Sequence, residues 1–136
     1  DAFYPQVGRF FALKGVEIVL SPMAVRRDLP HFQIAPYYPI WTNVQGNMFF
    51  AIESGFKGHF SKYVFCSKSA IHAPLVMTKN GDGFLQIENI FKDRLLIATL
   101  DFSLRDRCLQ HSFHPLKQLH PQVYTSIFSK KKGGDV

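Results

Sequence analysis

The sequence predicts an α/β fold in which a mixed β-sheet carries helices on one face. An amphipathic segment from Pro5 to Lys14 is followed by Gly15 and by the apolar run Val16–Pro22, an order that indicates a helix leading into a buried parallel strand. The same order returns in a predicted helix, Ile40–Phe49, and a predicted strand, Phe49–Gly55. Parallel pairing early in the chain and antiparallel pairing later predict one mixed sheet.

The later segments alternate around turn residues, as antiparallel strands do. Strands are predicted within Lys62–Thr78, and the turn "KNGDG" is followed by an expected hairpin of Phe84–Asn89 and Arg94–Phe102. Beyond Leu109 the sequence has no clear period and predicts an irregular tail. The segment Met23–Pro39, with three prolines, predicts a long loop after the first strand, where α/β folds hold ligand contacts.

Composition excludes several classes of protein. Of the 136 residues, 46% are apolar and 19% are charged, which is typical of a folded domain. No apolar run reaches the roughly 18 residues of a membrane span, so we expect no membrane partner. The net charge is +6, and Lys130–Lys132 supply half of it in a predicted flexible tail, residues 129–136, which argues against a nucleic-acid partner. Cys66 and Cys108 are expected to be reduced, buried thiols. The expected reduced thiols are consistent with a cytoplasmic protein.

Four segments carry a resemblance to one family. The chain opens "DAFYPQ" and continues "ALKGVEIVLSP"; further along it reads "WTNVQGNMFFAIESGFKG", "CSKSAIHAPLVMTKNGDG" and "LLIATLDFSLRDRCLQHSFHPLKQLHPQVY". The opening resembles the nucleophile stretch Cys-x-Asp-x-x-(Phe/Tyr)-Pro-Glu of the nitrilase (carbon-nitrogen hydrolase) superfamily, and the other segments resemble later family motifs in the same order. The sequence departs from the family pattern at Gln6, Gly46 and Gly55.

The resemblance implies the carboxyl-terminal half of a four-layer α-β-β-α sandwich, covering residues 1–128 and beginning just after the nucleophile cysteine. That cysteine is expected two residues before Asp1, and the glutamate and lysine of a Cys-Glu-Lys triad in the preceding half. The implied activity is cleavage of an amide or N-carbamoyl C–N bond, with no cofactor, and this chain alone is expected to catalyse nothing. The alternative is a non-catalytic, nitrilase-like binding or scaffold module.

The candidate site residues lie in the loop after the first strand and in the motifs. Arg26 and Arg27 suit a substrate carboxylate, because a guanidinium binds it bidentately, although pairing with Asp28 is an alternative. Glu53, in an apolar strand, needs a partner, and a structural ion pair competes with a site role. The substrate-binding candidates are therefore Arg26, Arg27, His31, Met23 and Glu53, and the residues expected to shape the nucleophile turn are Asp1, Tyr4 and Pro5.

Further partners and ligands follow from the same reasoning. The spacing of His111, His114 and His120 is loose for zinc, so we expect no metal. The expected partners are a small amide or carbamoyl substrate, the amino-terminal half of the same domain, and a second copy of the protein, packed through the segment after Leu104.

Overall fold

The structure is a computed structural model that describes residues 4–28, 39–88 and 95–111, together with positions 120, 122 and 125. Asp1, His31, His114 and the basic tail 129–136 lie outside these residues. The described helices are α1 (Pro5–Leu13), α2 (Ile40–Asn47) and α3 (Phe102–His111), with a short 3-10 helix at Leu75–Met77. The described strands are β1 (Ile18–Met23), β2 (Phe50–Gly55), β3 (Lys57–Phe60), β4 (Tyr63–Cys66), β5 (Ala70–His72) and β6 (Phe84–Ile87).

Four of the strands form a mixed sheet in the order β1-β2-β5-β6. β1 runs parallel to β2, while β2–β5 and β5–β6 are antiparallel. The strands β3 and β4 form a separate two-stranded hairpin. The predicted order, with parallel pairing first and antiparallel pairing later, is confirmed.

The helix α1 begins and ends where its sequence dictates. Pro5 occupies the first helical position, where its missing N–H costs nothing, and Gly15 adopts φ 77° just beyond the last turn. The chain then enters β1 directly. This tight connection lays α1 against the sheet.

One face of the sheet is covered by α1 and α2. The core there is a cluster of buried apolar side chains with Val19 of β1 packed against it; the cluster consists of Ala12, Ile40, Val44, Phe49 and Ala51. The helix α2 also holds the connection between β5 and β6, since the Gln45 side-chain amide donates to the Ala73 carbonyl at 3.2 Å and accepts from the Leu75 amide at 2.8 Å.

The opposite face of the sheet is covered at one end and exposed at the other. Phe50 is fully buried, with its ring edge-on to Phe102 of α3 at 5.3 Å between centroids. The Arg105 guanidinium anchors α3 by donating to the Met48 carbonyl at 2.5 Å. Beyond this contact the face is open, and Leu20 is 71% exposed. A large apolar sheet face is therefore left without cover among the described residues.

The predicted strand Arg94–Phe102 was wrong within the described residues, and the predicted irregular tail was wrong at its first two residues, Gln110 and His111, which are helical; most of that tail lies outside the described residues. Residues 95–101 carry no strand, and α3 runs from Phe102 to His111. The reason is local, because the Asp101 carboxylate accepts the Leu104 amide at 2.7 Å and so caps the helix that follows. The prediction of buried thiols was also wrong, since Cys66 and Cys108, which form no disulfide, are both half-buried.

Two helical glycines give a matched test of packing on the covered face. A β-carbon at Gly8 comes within 2.6 Å of the Asn43 Cγ, whereas a β-carbon at Gly46 meets nothing within 4 Å. We expect Gly8→Ala to lower the free energy of unfolding by about 1–3 kcal/mol through overpacking. Gly46→Ala should raise it by up to about 1 kcal/mol through helix propensity. Urea denaturation followed by circular dichroism measures both, and equal effects of the two changes would contradict the packing of α1 on α2.

Candidate functional site

The carboxyl edge of the parallel pair β1–β2 is the place where an α/β sheet binds ligands. β1 ends at Met23 and β2 at Gly55, and the Phe56 amide donates to the Met23 carbonyl at 2.8 Å just beyond both ends. A cavity of about 300 Å³ lies between α1, α2 and β1, and both Val7 of α1 and Met23 line it. The first turn of α1 and the end of β1 therefore meet at this edge.

The loop after β1 is fixed onto the β3–β4 hairpin by its backbone. The Val25 amide donates to the Ser67 hydroxyl at 2.6 Å, and the Val25 carbonyl accepts the Cys66 amide at 3.1 Å. The Arg27 amide donates to the Val64 carbonyl at 2.9 Å. The segment Val25–Arg27 therefore runs beside β4 almost as a third strand, which gives the loop a defined position.

Arg26 is held by two neighbours. Its guanidinium binds the Asp28 carboxylate through both ends, one of them from Nε to Oδ1 at 3.0 Å, and lies 3.9 Å from the centre of the Tyr63 ring. The hydrogen bond to Asp28 raises the pKa of Arg26, and the same bond lowers the pKa of Asp28. Arg26 is therefore paired with Asp28, which is the alternative that the sequence also allowed. Contact of Arg26 with a substrate stays a prediction.

Arg27 has a different environment from Arg26. Its side chain is exposed and takes part in no ion pair within the described part of the chain. It lines a second, smaller cavity together with Lys62 and Tyr63 of the hairpin. The two adjacent arginines therefore diverge, the first bound to protein groups and the second facing open space.

Glu53 is buried at the centre of the sheet. Its Oε2 lies 3.0 Å from His72 Nε2, and both side chains are fully buried. Its Oε1 has no hydrogen-bond partner in the described structure. Burial raises the pKa of Glu53, and the contact with His72 opposes that shift. The pair lies on the face covered by helices and lines neither of the two cavities.

The remaining candidates are distributed around the same edge. Tyr4 directly precedes α1 and is exposed, and Pro5 is the first residue of the helix.

The sequence analysis did not select His72, Ser67, Lys62 or Tyr63 as site residues. A signal for His72 was present, because a histidine in the apolar run "AIHA" needs a buried partner as much as Glu53 does.

Within the described residues, no group of three or more His, Cys, Asp or Glu side chains is placed to hold a metal ion. No helix in the same part of the chain has the length and apolar character needed to cross a membrane.

Among solved structures, the chain is similar to a carbon-nitrogen hydrolase from Helicobacter pylori G27, with a TM-score of 0.66 and 19% sequence identity. The likeness covers 94% of this chain and 46% of that chain, so the chain spans about half the length of its neighbour. It establishes the fold. The α/β architecture with a mixed sheet is thus the one found in part of a carbon-nitrogen hydrolase. No model of a known protein family matches the sequence, and no curated protein sequence matches it.

The buried Glu53–His72 pair predicts a pH dependence of stability. Because the pKa of Glu53 is raised in the folded state, its protonated form favours folding, and that contribution is lost as pH rises above the ordinary value of 4.5 and through the raised value. Glu53→Gln cannot ionise, so its free energy of unfolding relative to the native chain should increase with pH over this window. Denaturant titrations at several pH values measure the difference.

Glu17→Gln is the matched control, because the side chain of Glu17 is half-exposed, with its Oε1 at 3.3 Å from the guanidinium of the buried Arg105. A difference between Glu53→Gln and the native chain that stays constant with pH would contradict the assignment of a raised pKa.

His72→Ala should lower the free energy of unfolding by about 3 kcal/mol, since it leaves the buried carboxyl group of Glu53 without its partner.

Proposed function

We propose that this chain is the carboxyl-terminal part of a carbon-nitrogen hydrolase that cleaves an amide or N-carbamoyl C–N bond. The observation that carries the proposal is the fold likeness, which covers nearly all of this chain and about half of the Helicobacter pylori hydrolase. The four motifs that resemble the nitrilase superfamily, in the family's order, are an independent support. Under this proposal, residues 1–128 form the second half of the domain.

The open surfaces of the sheet support a missing neighbour. Within the described residues β1 pairs with β2 alone, so its outer edge carries backbone groups that no strand satisfies. Leu20 and Ile52 are exposed side by side on the uncovered face, and Leu95 is 82% exposed. An open edge beside an exposed apolar face is an aggregation hazard that folded proteins cover. In this proposal the other half of the domain covers both.

The placement of α1 supports a nucleophile near the carboxyl edge. A helix that connects parallel strands runs back along the sheet, so its first turn lies at the edge where the strands end. Val7 and Met23 line one cavity in agreement with this geometry. Tyr4, which directly precedes α1, therefore lies at the sheet's ligand-binding edge, and the family motif has its cysteine shortly before this position.

The proposed chemistry divides the work between the two halves. A glutamate acts as general base and takes the thiol proton, the cysteine thiolate attacks the carbonyl carbon, and a lysine stabilises the oxyanion. The C–N bond then breaks and ammonia or an amine leaves with that proton. Water hydrolyses the resulting thioester, which frees the acid and restores the cysteine. All three groups are assigned outside this chain. The chain supplies the helix that follows the nucleophile, the loop beside it and one sheet of the sandwich. Self-association through the segment after Leu104 stays a prediction.

The proposal predicts thiol-dependent hydrolysis by the native protein, isolated from its source through a tag at its carboxyl end. Intact mass under denaturing conditions should show a species about twice the 15.6 kDa of this chain, or a second chain of similar size. Ammonia release from small amides and N-carbamoyl compounds should stop after alkylation.

The cysteines of this chain provide the control. Cys66 and Cys108 are the two cysteines of this chain and are both half-buried, whereas the proposed nucleophile lies elsewhere. A variant with Cys66→Ser and Cys108→Ser should therefore keep both its activity and its sensitivity to alkylation. A single species of 15.6 kDa without hydrolysis would contradict the enzyme and favour the binding or scaffold module.

A further inference from the structure

A second cavity, of about 230 Å³, opens between the loop after β1 and the β3–β4 hairpin. The residues that line it are Arg27, Asp28, Lys62, Tyr63 and Val64. Two cationic side chains, one aromatic ring and one carboxylate therefore surround a space large enough for a carboxylate and a few carbon atoms.

The backbone holds the walls of this cavity in place. The Arg27 amide donates to the Val64 carbonyl, and Arg26 forms an isolated β-bridge with Phe65 of β4. The hairpin turn is tight, with Ser61 at φ 54° between β3 and β4. Lys62 thus projects from a turn whose position is fixed relative to the loop that carries Arg27.

The charges of the cavity do not cancel. Asp28 is bound by Arg26 through a two-point hydrogen bond, and Arg26 is stacked on Tyr63, so these two charges neutralise each other. Arg27 and Lys62 have no ion-pair partner among the described residues, and the nearest aromatic contact of Lys62 is the Tyr63 ring at 5.4 Å. Two positive charges therefore face the cavity without a matching protein anion.

We propose that this cavity binds the carboxylate end of a small acidic ligand, with Arg27 as the bidentate donor and Lys62 as a second positive charge. A guanidinium fork matches a carboxylate, and an ammonium group nearby adds attraction without demanding a fixed direction. Arg26 has a positioning role here, because it holds Asp28 and Tyr63 in place. The loop leaves β1 at the ligand-binding edge of the sheet. The ligand is therefore assigned as an acidic amide or N-carbamoyl substrate, an assignment that rests on the proposed function.

The test measures binding without catalysis. Isothermal titration of the native protein uses succinate as the probe, with uncharged succinamide and inorganic phosphate as comparisons. We expect saturable binding of succinate, weaker binding of phosphate and no binding of succinamide. The double variant Arg27→Gln/Lys62→Gln should bind succinate at least about tenfold more weakly, since it loses two charge-assisted contacts.

The matched control is Arg107→Gln/Lys14→Gln, which removes the same two kinds of charge at exposed positions on α3 and directly after α1. Lys14 lies over the ring of Phe10 at 5.7 Å, much as Lys62 lies over Tyr63. The control should keep the native affinity for succinate. Far-ultraviolet circular dichroism and thermal unfolding establish that both double variants remain folded.

Three outcomes would overturn the proposal. An equal loss of affinity in both double variants would mean general attraction by a basic protein, and an unchanged affinity in Arg27→Gln/Lys62→Gln would exclude the cavity. Tighter binding of phosphate than of succinate would exclude the carboxylate assignment. Each of these results leaves ammonia release untouched, so failure of the anion site and failure of the hydrolase proposal are separate observations.

Discussion

The strand β2 is hydrogen-bonded on both sides, parallel to β1 and antiparallel to β5, and the rest of the described structure depends on this double pairing. Phe49, Phe50 and Ala51 are fully buried where the strand begins, so it is anchored in the core as well as in the sheet. Its parallel register with β1 brings the ends of both strands to one edge. Loss of that register by one residue would move every side chain of β1 to the other face.

Helices cover the two faces of the sheet to different extents, and the proposed function explains the face that is left uncovered. Helices α1 and α2 bury one face, while α3 covers the other only around Phe50. Leu20 and Ile52 are exposed, and no described strand pairs with the outer edge of β1. The proposed function explains both features as surfaces that a larger domain would bury. The loop after β1 is nevertheless fixed by the β3–β4 hairpin. One region of the chain thus combines a loop of defined position with an uncovered apolar surface, which the proposed function assigns to contact with the other half of the domain.

The sequence was informative where local signals agree with tertiary packing. Proline and glycine bound α1, and the apolar runs beyond it identify β1 and β2, so the mixed sheet could be predicted. The capping role of Asp101 was missed, because an apolar run before it favoured a strand that continued through it. At the site, Arg27 and Lys62 line one cavity although they are 35 positions apart in the chain (62 minus 27). They come together because the β3–β4 hairpin packs against the loop after β1, and no local sequence pattern predicts such a long-range arrangement.

Hydrogen exchange at β1 in the native protein tests the central claim most directly. If the missing part of the domain pairs with the outer edge of β1, the amides between Val19 and Ser21 that do not bond to β2 should be as strongly protected as the amides of β2 itself. The apolar face around Leu20 would then be covered as well. Exchange of those outward-facing amides at the rate of an exposed peptide, beside a protected β2, would contradict the account.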